Sequence, residues 1–179
     1  IRDIPATSIE GGSKASNLRQ TIQAEMKKEG LTCRCIRCRE ISGNITNPKN
    51  VKMIRRDYDA SDGKEIFLSF EDIKQDKLIS LLRLRIPSPC LEIQLPNMFP
   101  ALKKAALIRE IHTYGEVATL STKESSAIPK QHKGLGKRLV EAAEKIAKRE
   151  GFKKVAVISG VGVRGYYRKL KYRKVGTYM

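Results

Sequence analysis

The sequence has no tryptophan and only 6% aromatic residues, so it offers no evident stacking platform for unpaired bases. It has no apolar run near the roughly 18 residues that a membrane-spanning helix needs. Nor does it open with the basic start and apolar middle of a signal peptide. A cytoplasmic location with no membrane partner is the expectation. Acidic residues are scarce: 19 Asp and Glu stand against 36 Lys and Arg, a formal net charge of +17. Solubility does not require so large an excess. It attracts phosphate, whether in nucleic acid or in a small anionic cofactor. The bland alternative is a basic protein from a basic proteome. The charge is spread along the chain and not gathered on one amphipathic helix, which argues against a membrane-surface peptide.

Cysteine is also scarce, but three of the four residues lie together as Cys33, Cys35 and Cys38. Neighbours this close rarely satisfy disulfide geometry, and in a cytosolic chain the spacing Cys-x-Cys-x-x-Cys reads as metal-binding. Structural zinc takes four ligands, with Cys90 a candidate for the fourth. Three reduced thiols in a basic loop are the bland reading.

The 179 residues suit one domain, or one domain with an appended subdomain, and can bury a core. A start at Ile1 suggests a fragment or a processed piece. The expected division is 1–50, a linker or subdomain with a helix and the cysteines, and 51–179, a larger domain. Asn17 is placed to cap a helix from about Leu18 to Lys28 that stops at Gly30. Strands are expected over Val51–Tyr58 and Glu65–Phe70, with Asp62-Gly63 as the turn. Lys77–Ile86 alternates, with Leu78, Ser80, Leu82, Leu84 and Ile86 on one side and Ile79, Leu81, Arg83 and Arg85 on the other. A further strand covers Ala105–Tyr114. Gly134–Glu150 carries Leu135, Leu139, Ala142, Ala143, Ile146 and Ala147 on a helical period. A buried strand (Lys154–Ser159), a short helix (Arg164–Leu170) and a last strand (Tyr172–Met179) complete the order. The fold class expected is α/β or α+β: a mixed, mostly antiparallel sheet flanked by helices.

The sharpest local signal is Gln131-His132-Lys133-Gly134-Leu135-Gly136, at the start of the best helix. Glycines let a ligand approach the backbone, and the helix start offers free N–H groups and a positive dipole end, a cradle for phosphate. Lys133, Lys137 and Arg138 add positive charge. A tight turn is the bland alternative.

Gln131, Gly134 and Gly136 resemble the pyrophosphate loop of the GNAT superfamily of N-acetyltransferases, which binds acetyl-CoA. Longer runs narrow the resemblance: Ile108–Gly115, Ala156–Arg164, Tyr166–Leu170, Thr32–Glu40, Arg55–Tyr58 and Leu81–Arg85. Together they are similar to the C-terminal part of the catalytic subunits of Elongator. That resemblance implies a GNAT fold. It also implies acetyl-CoA as cofactor, held by Gln131, Lys133, Gly134, Leu135, Gly136 and Lys137, with its pantetheine arm along Glu110, Ile111, His112 and Thr113. It implies action on carbon 5 of the wobble uridine of tRNA. The same polypeptide should then carry a radical S-adenosylmethionine domain with a [4Fe-4S] cluster, which is not visible in this sequence.

Tyr167 is the first choice near the cofactor thioester, since a phenol can donate to a departing thiolate. Its bland reading is a core aromatic. Tyr166 reads as structural. His112 is a candidate base, though a packed histidine is commoner. Arg34, Arg37, Arg39, Arg55, Arg56, Arg83 and Arg85 are candidates for tRNA phosphate contacts, with a solvated strand face as the alternative. Lys171 and Gly165 depart from the family pattern. Two other readings compete: a protein lysine acetyltransferase, and a non-catalytic tRNA-binding module.

Overall fold

A computed structural model describes residues 6–8, 10–12, 14, 17–41, 47–89, 99–114 and 134–179. The chain forms two compact units, Ile1–Arg39 and Glu40–Met179.

In the first unit, helix α1 (Leu18–Lys28) leads to the cysteine run and a short helix α2 (Ile36–Arg39). Asn17 does not cap α1 with its side chain; its carbonyl accepts from the Thr21 N–H at 3.2 Å. The stop at Gly30 does form. Gly30 has φ +69°, and the N–H groups of Gly30 and Leu31 donate to the carbonyls of Lys27 and Met26. That left-handed C-terminal pairing satisfies two orphan carbonyls and suits glycine.

The second unit is built on a five-stranded sheet in the order β1-β2-β3-β4-β5. The strands are β1 Val51–Asp59, β2 Gly63–Asp72, β3 Lys77–Pro87, β4 Ala105–Thr113 and β5 Lys154–Val157. The first four pair antiparallel, and β4 pairs with β5 in parallel. A parallel pair needs a crossover, and helix α3 (Leu135–Arg149) lies in it. Helix α4 covers Arg164–Lys169. The second unit begins ahead of the expected residue-50 boundary: Glu40 bridges Leu78, and Ile41 is buried in the core.

The β1–β2 turn has Ser61 and Asp62 both at positive φ, the backbone that matches strand twist in a tight hairpin. Gly63 is required by crowding: a Cβ there would lie 2.6 Å from the Ile86 carbonyl oxygen. Leu135, Leu139, Val140, Ala143, Ile146 and Ala147 of α3 share one core with Ile66, Leu68 and Phe70 of β2 and Leu82 and Leu84 of β3. Apolar side chains at this spacing lie on one helix face.

Two local departures matter. The simple alternation expected in β3 breaks, because register shifts where Phe70 faces Ser80 and Glu71 faces Leu78. Ile79 is the extra residue and joins Leu82, Leu84 and Ile86 in the core. The expected last strand does not form. Val175 and Tyr178 make an isolated bridge, and Met179 alone exchanges two hydrogen bonds with Val157. Gly176 at φ +60° turns the backbone out of the extended region.

Candidate functional site

Strands β4 and β5 run together only from Ala105/Lys154 to Ile108/Val157. One more hydrogen bond follows, from the Ile158 N–H to the Ile108 carbonyl at 3.0 Å. Beyond it β4 continues to Thr113 on β3 alone. Its edge over residues 109–113 has no strand partner among the described residues. A bulge at Arg109, between the pairs Leu84–Ile108 and Arg83–Glu110, falls where the strands part. Bulges bend a strand and re-aim its side chains.

The start of α3 lies beside this open edge. Gly134 precedes it at φ +89°, ψ 0°, a conformation that favours glycine. The N–H groups of Leu135, Gly136 and Lys137 belong to the first turn, where a helix has no internal acceptors for them. A cavity of about 300 Å³ is lined by Ile111, Thr113, Gly134, Gly136, Lys137 and Tyr166. A Cβ on Gly136 would lie 3.0 Å from the Tyr166 hydroxyl, 3.6 Å from Thr113 Oγ1 and 3.7 Å from Ile111 Cδ1. Glycine therefore keeps this corner open. Gln131, Lys133 and Cys90 lie outside the described residues.

The two tyrosines exchange their expected places. Tyr166 lines the cavity, whereas Tyr167 is only 3% exposed and belongs to the core. Its ring meets Tyr166 and Tyr172 edge-on, with centroids 5.2 and 5.9 Å away. Burial raises the Tyr166 phenol above its ordinary range. Burial, with the neighbouring Tyr166, pushes Tyr167 up to about 12. Both shifts favour the protonated phenol, the form that an unshifted tyrosine already takes at neutral pH. His112 is largely exposed, with Nε2 3.8 Å from a Glu110 carboxylate oxygen and its ring stacked on Tyr114. Glu110 pairs with Arg83 at 2.6 Å.

The three sulfurs of Cys33, Cys35 and Cys38 lie within 4.8 Å of one another, which suits three corners of a zinc tetrahedron. Arg19 Nη2 and Gln23 Nε2 donate to Cys38 Sγ at 3.1 and 3.2 Å. The Arg19 guanidinium, with neighbouring donors, holds the Cys35 thiol down to about 6. A thiol moved in that direction is a ready metal ligand.

The arginines separate into two groups. On the sheet, Arg55 binds Asp57 through two contacts, at 2.7 and 2.6 Å. Arg56 holds Glu71 at 2.5 Å, Arg83 holds Glu110, and Arg85 donates to the Ala60 and Ser61 carbonyls of the hairpin. Arg34 and Arg37 are exposed beside the cysteines, and Arg39 is half-buried.

Glu65 and Ser80 are among the buried polar groups that sequence reasoning missed. Glu65, 1% exposed, sits 2.8 Å from Arg109, the bulge residue. Ser80, fully buried, bonds the His112 carbonyl and Thr113. Ser80 stands at an alternating position in a strand, so only the cross-strand register could have marked it.

A mixed sheet whose parallel pair splays open beside a glycine-rich helix start defines an acetyltransferase domain of the GNAT class. The Acetyltransferase (GNAT) family pattern accordingly matches residues 129–172. Over 99% of its length the chain is 47% identical to a tRNA uridine(34) acetyltransferase of Methanocaldococcus infernus, covering 33% of that protein. It is 44% identical to Elongator complex protein 3 of Saccharomyces cerevisiae, covering 99% of this chain and 32% of that one. A solved structure of the archaeal Methanocaldococcus infernus Elp3 with an N-terminal deletion superposes with a TM-score of 0.75 at 47% identity, over 99% of this chain and 42% of that chain. Over 99% of its length the chain is similar to a part of these proteins, and it spans about a third of the length of the curated relatives it matches.

Proposed function

We propose that this chain binds acetyl-CoA beside the start of α3 and is the acetyl-CoA-handling part of an enzyme that modifies carbon 5 of uridine 34 in tRNA. The observation that carries the reading is the open edge of β4 lying beside a helix start that Gly136 keeps clear and that Gly134 enters at positive φ. The backbone N–H groups of Leu135, Gly136 and Lys137 face an anion such as a pyrophosphate, and Gln131 and Lys133 precede them in sequence. Residues 110–113 offer a strand edge to an extended arm that carries amides. When bound, acetyl-CoA supplies its acetyl group as a thioester. Tyr166, a phenol that carries its proton at neutral pH and lines the cavity, would be the donor toward the sulfur, with Tyr167 packed against it. The remaining chemistry belongs to a radical S-adenosylmethionine portion of the full polypeptide, with its [4Fe-4S] cluster. The names of the relatives favour tRNA over protein lysine as the acceptor.

Titration calorimetry is expected to give saturable acetyl-CoA binding. A gel-shift series is expected to give tRNA binding that weakens steeply with salt, as phosphate contacts require. Acetyl-CoA binding without tRNA binding would favour the protein acetyltransferase; the reverse would favour a tRNA-binding module.

The cysteine cluster is proposed to hold structural zinc through Cys33, Cys35 and Cys38, with Cys90 or a residue of the radical portion completing the set. Elemental analysis of the purified chain is expected to give one zinc per molecule, and Cys38→Ser is expected to lose most of it. A metal-free wild type would sink this assignment.

A further inference from the structure

We infer that the Thr113 side chain meets the cofactor as a hydrogen-bond acceptor only, and that buried Ser80 imposes this. The inference rests on the acetyl-CoA reading above and adds to it the atom that reads the pantetheine arm.

The argument is a count of protons. Ser80 Oγ lies 2.8 Å from the His112 carbonyl oxygen and 2.9 Å from Thr113 Oγ1. A carbonyl oxygen can only accept, and a serine hydroxyl has one proton. That proton goes to His112. Ser80 is fully buried on β3 and faces Thr113 in the β3–β4 register. Thr113 itself is exposed, but with the Ser80 proton given to a carbonyl, two oxygens 2.9 Å apart attract each other only when a proton lies between them. The proton is Thr113's own, and it points at Ser80. What Thr113 Oγ1 presents elsewhere is lone pairs.

The oxygen presents them at the cavity. Thr113 lines it together with Gly136 and Tyr166, and Oγ1 is 3.6 Å from the point where a Gly136 side chain would begin. A ligand group that meets Thr113 Oγ1 itself must therefore bring an N–H or O–H, which a pyrophosphate on the α3 N–H groups does not have and the arm does. The pantetheine arm has two amide N–H groups, which an acceptor at the end of the open strand can take. The β-branched threonine, stiff about χ1 and tied to Ser80, holds the oxygen in one direction. Thr113 is thus a binding residue, and Ser80, which touches no ligand, a positioning residue.

The test is calorimetry on the full chain with two probes: acetyl-CoA, and 3′-phospho-ADP, which is its nucleotide without the arm. Thr113→Val, close to isosteric but lacking the hydroxyl, is expected to weaken acetyl-CoA severalfold to about tenfold, the scale of one hydrogen bond. It should leave 3′-phospho-ADP unchanged. Thr113→Ser is expected to recover most of the loss. Ser80→Ala frees the threonine proton to turn elsewhere, and it is expected to weaken acetyl-CoA severalfold with 3′-phospho-ADP again unaffected. Wild-type affinity in Thr113→Val, or an equal loss for both probes, would overturn the inference while leaving the acetyl-CoA reading intact. Wild-type affinity in Ser80→Ala would overturn the role of Ser80. A wild type that binds neither probe would overturn the acetyl-CoA reading, and this inference with it.

Discussion

Replacing Gly134 by glutamate is expected to abolish measurable acetyl-CoA binding, a loss of at least about a hundredfold, on the scale of two 1.4 kcal/mol steps. Two effects act together. The backbone at φ +89° is strained for a residue with a Cβ, by roughly 1–3 kcal/mol. The new carboxylate also stands at the helix start, where free N–H groups and the dipole favour negative charge. There it would compete with the pyrophosphate. Sterics are not the cause, since a Cβ at this position meets nothing within 4 Å. Gly134→Asn separates the two effects, because asparagine tolerates left-handed backbone and carries no charge. It is expected to bind within about tenfold of wild type. Equal losses in both variants would assign the effect to backbone strain, and an unaffected Gly134→Glu would place the cofactor elsewhere.

The second large effect is on stability. Tyr167→Ala is expected to lower the unfolding free energy by about 3–5 kcal/mol, the range for removing a buried aromatic ring. The ring is 3% exposed and packed on Tyr166 and Tyr172. Tyr166→Phe removes only a hydroxyl at the cavity and is expected to change stability by less than about 1 kcal/mol. Urea denaturation of both variants measures this through their midpoints. In the proposed reading Tyr166→Phe slows acetyl-group chemistry at near-normal affinity. Comparable stability losses in the two variants would contradict the division between a core tyrosine and a cavity tyrosine.

Much of the architecture was legible in local pattern. The period of apolar residues in 135–147, the tight turn between β1 and β2 and the stop at Gly30 depend on neighbours within a few residues. They could be read one segment at a time. Gly134 and Gly136 announced a backbone position and a close approach, and the cysteine spacing announced a sulfur cluster that the folded first unit does assemble. The sequence also carried the family resemblance, because long runs of side chains keep their order whether or not the fold is known.

Other features were decided by contacts between segments far apart in the chain. Adjacent tyrosines on a short helix look alike in sequence, and only packing against α3 and Tyr172 buries one and leaves the other at the cavity. The sheet arginines read in sequence like those beside the cysteines; only strand pairing sets Glu65 opposite Arg85 and Glu110 opposite Arg83 and brings Glu71 to Arg56. The two bulges shift register by one residue, and side chains alternate with a period of two. Ile79 therefore moved into the core, and Arg109 was left at the parting of β4 and β5. Composition, periodicity and turn chemistry determined the elements. The direction in which Tyr166, Thr113 and Ser80 present their hydroxyls was decided by strand pairing and helix packing, which no single segment contains.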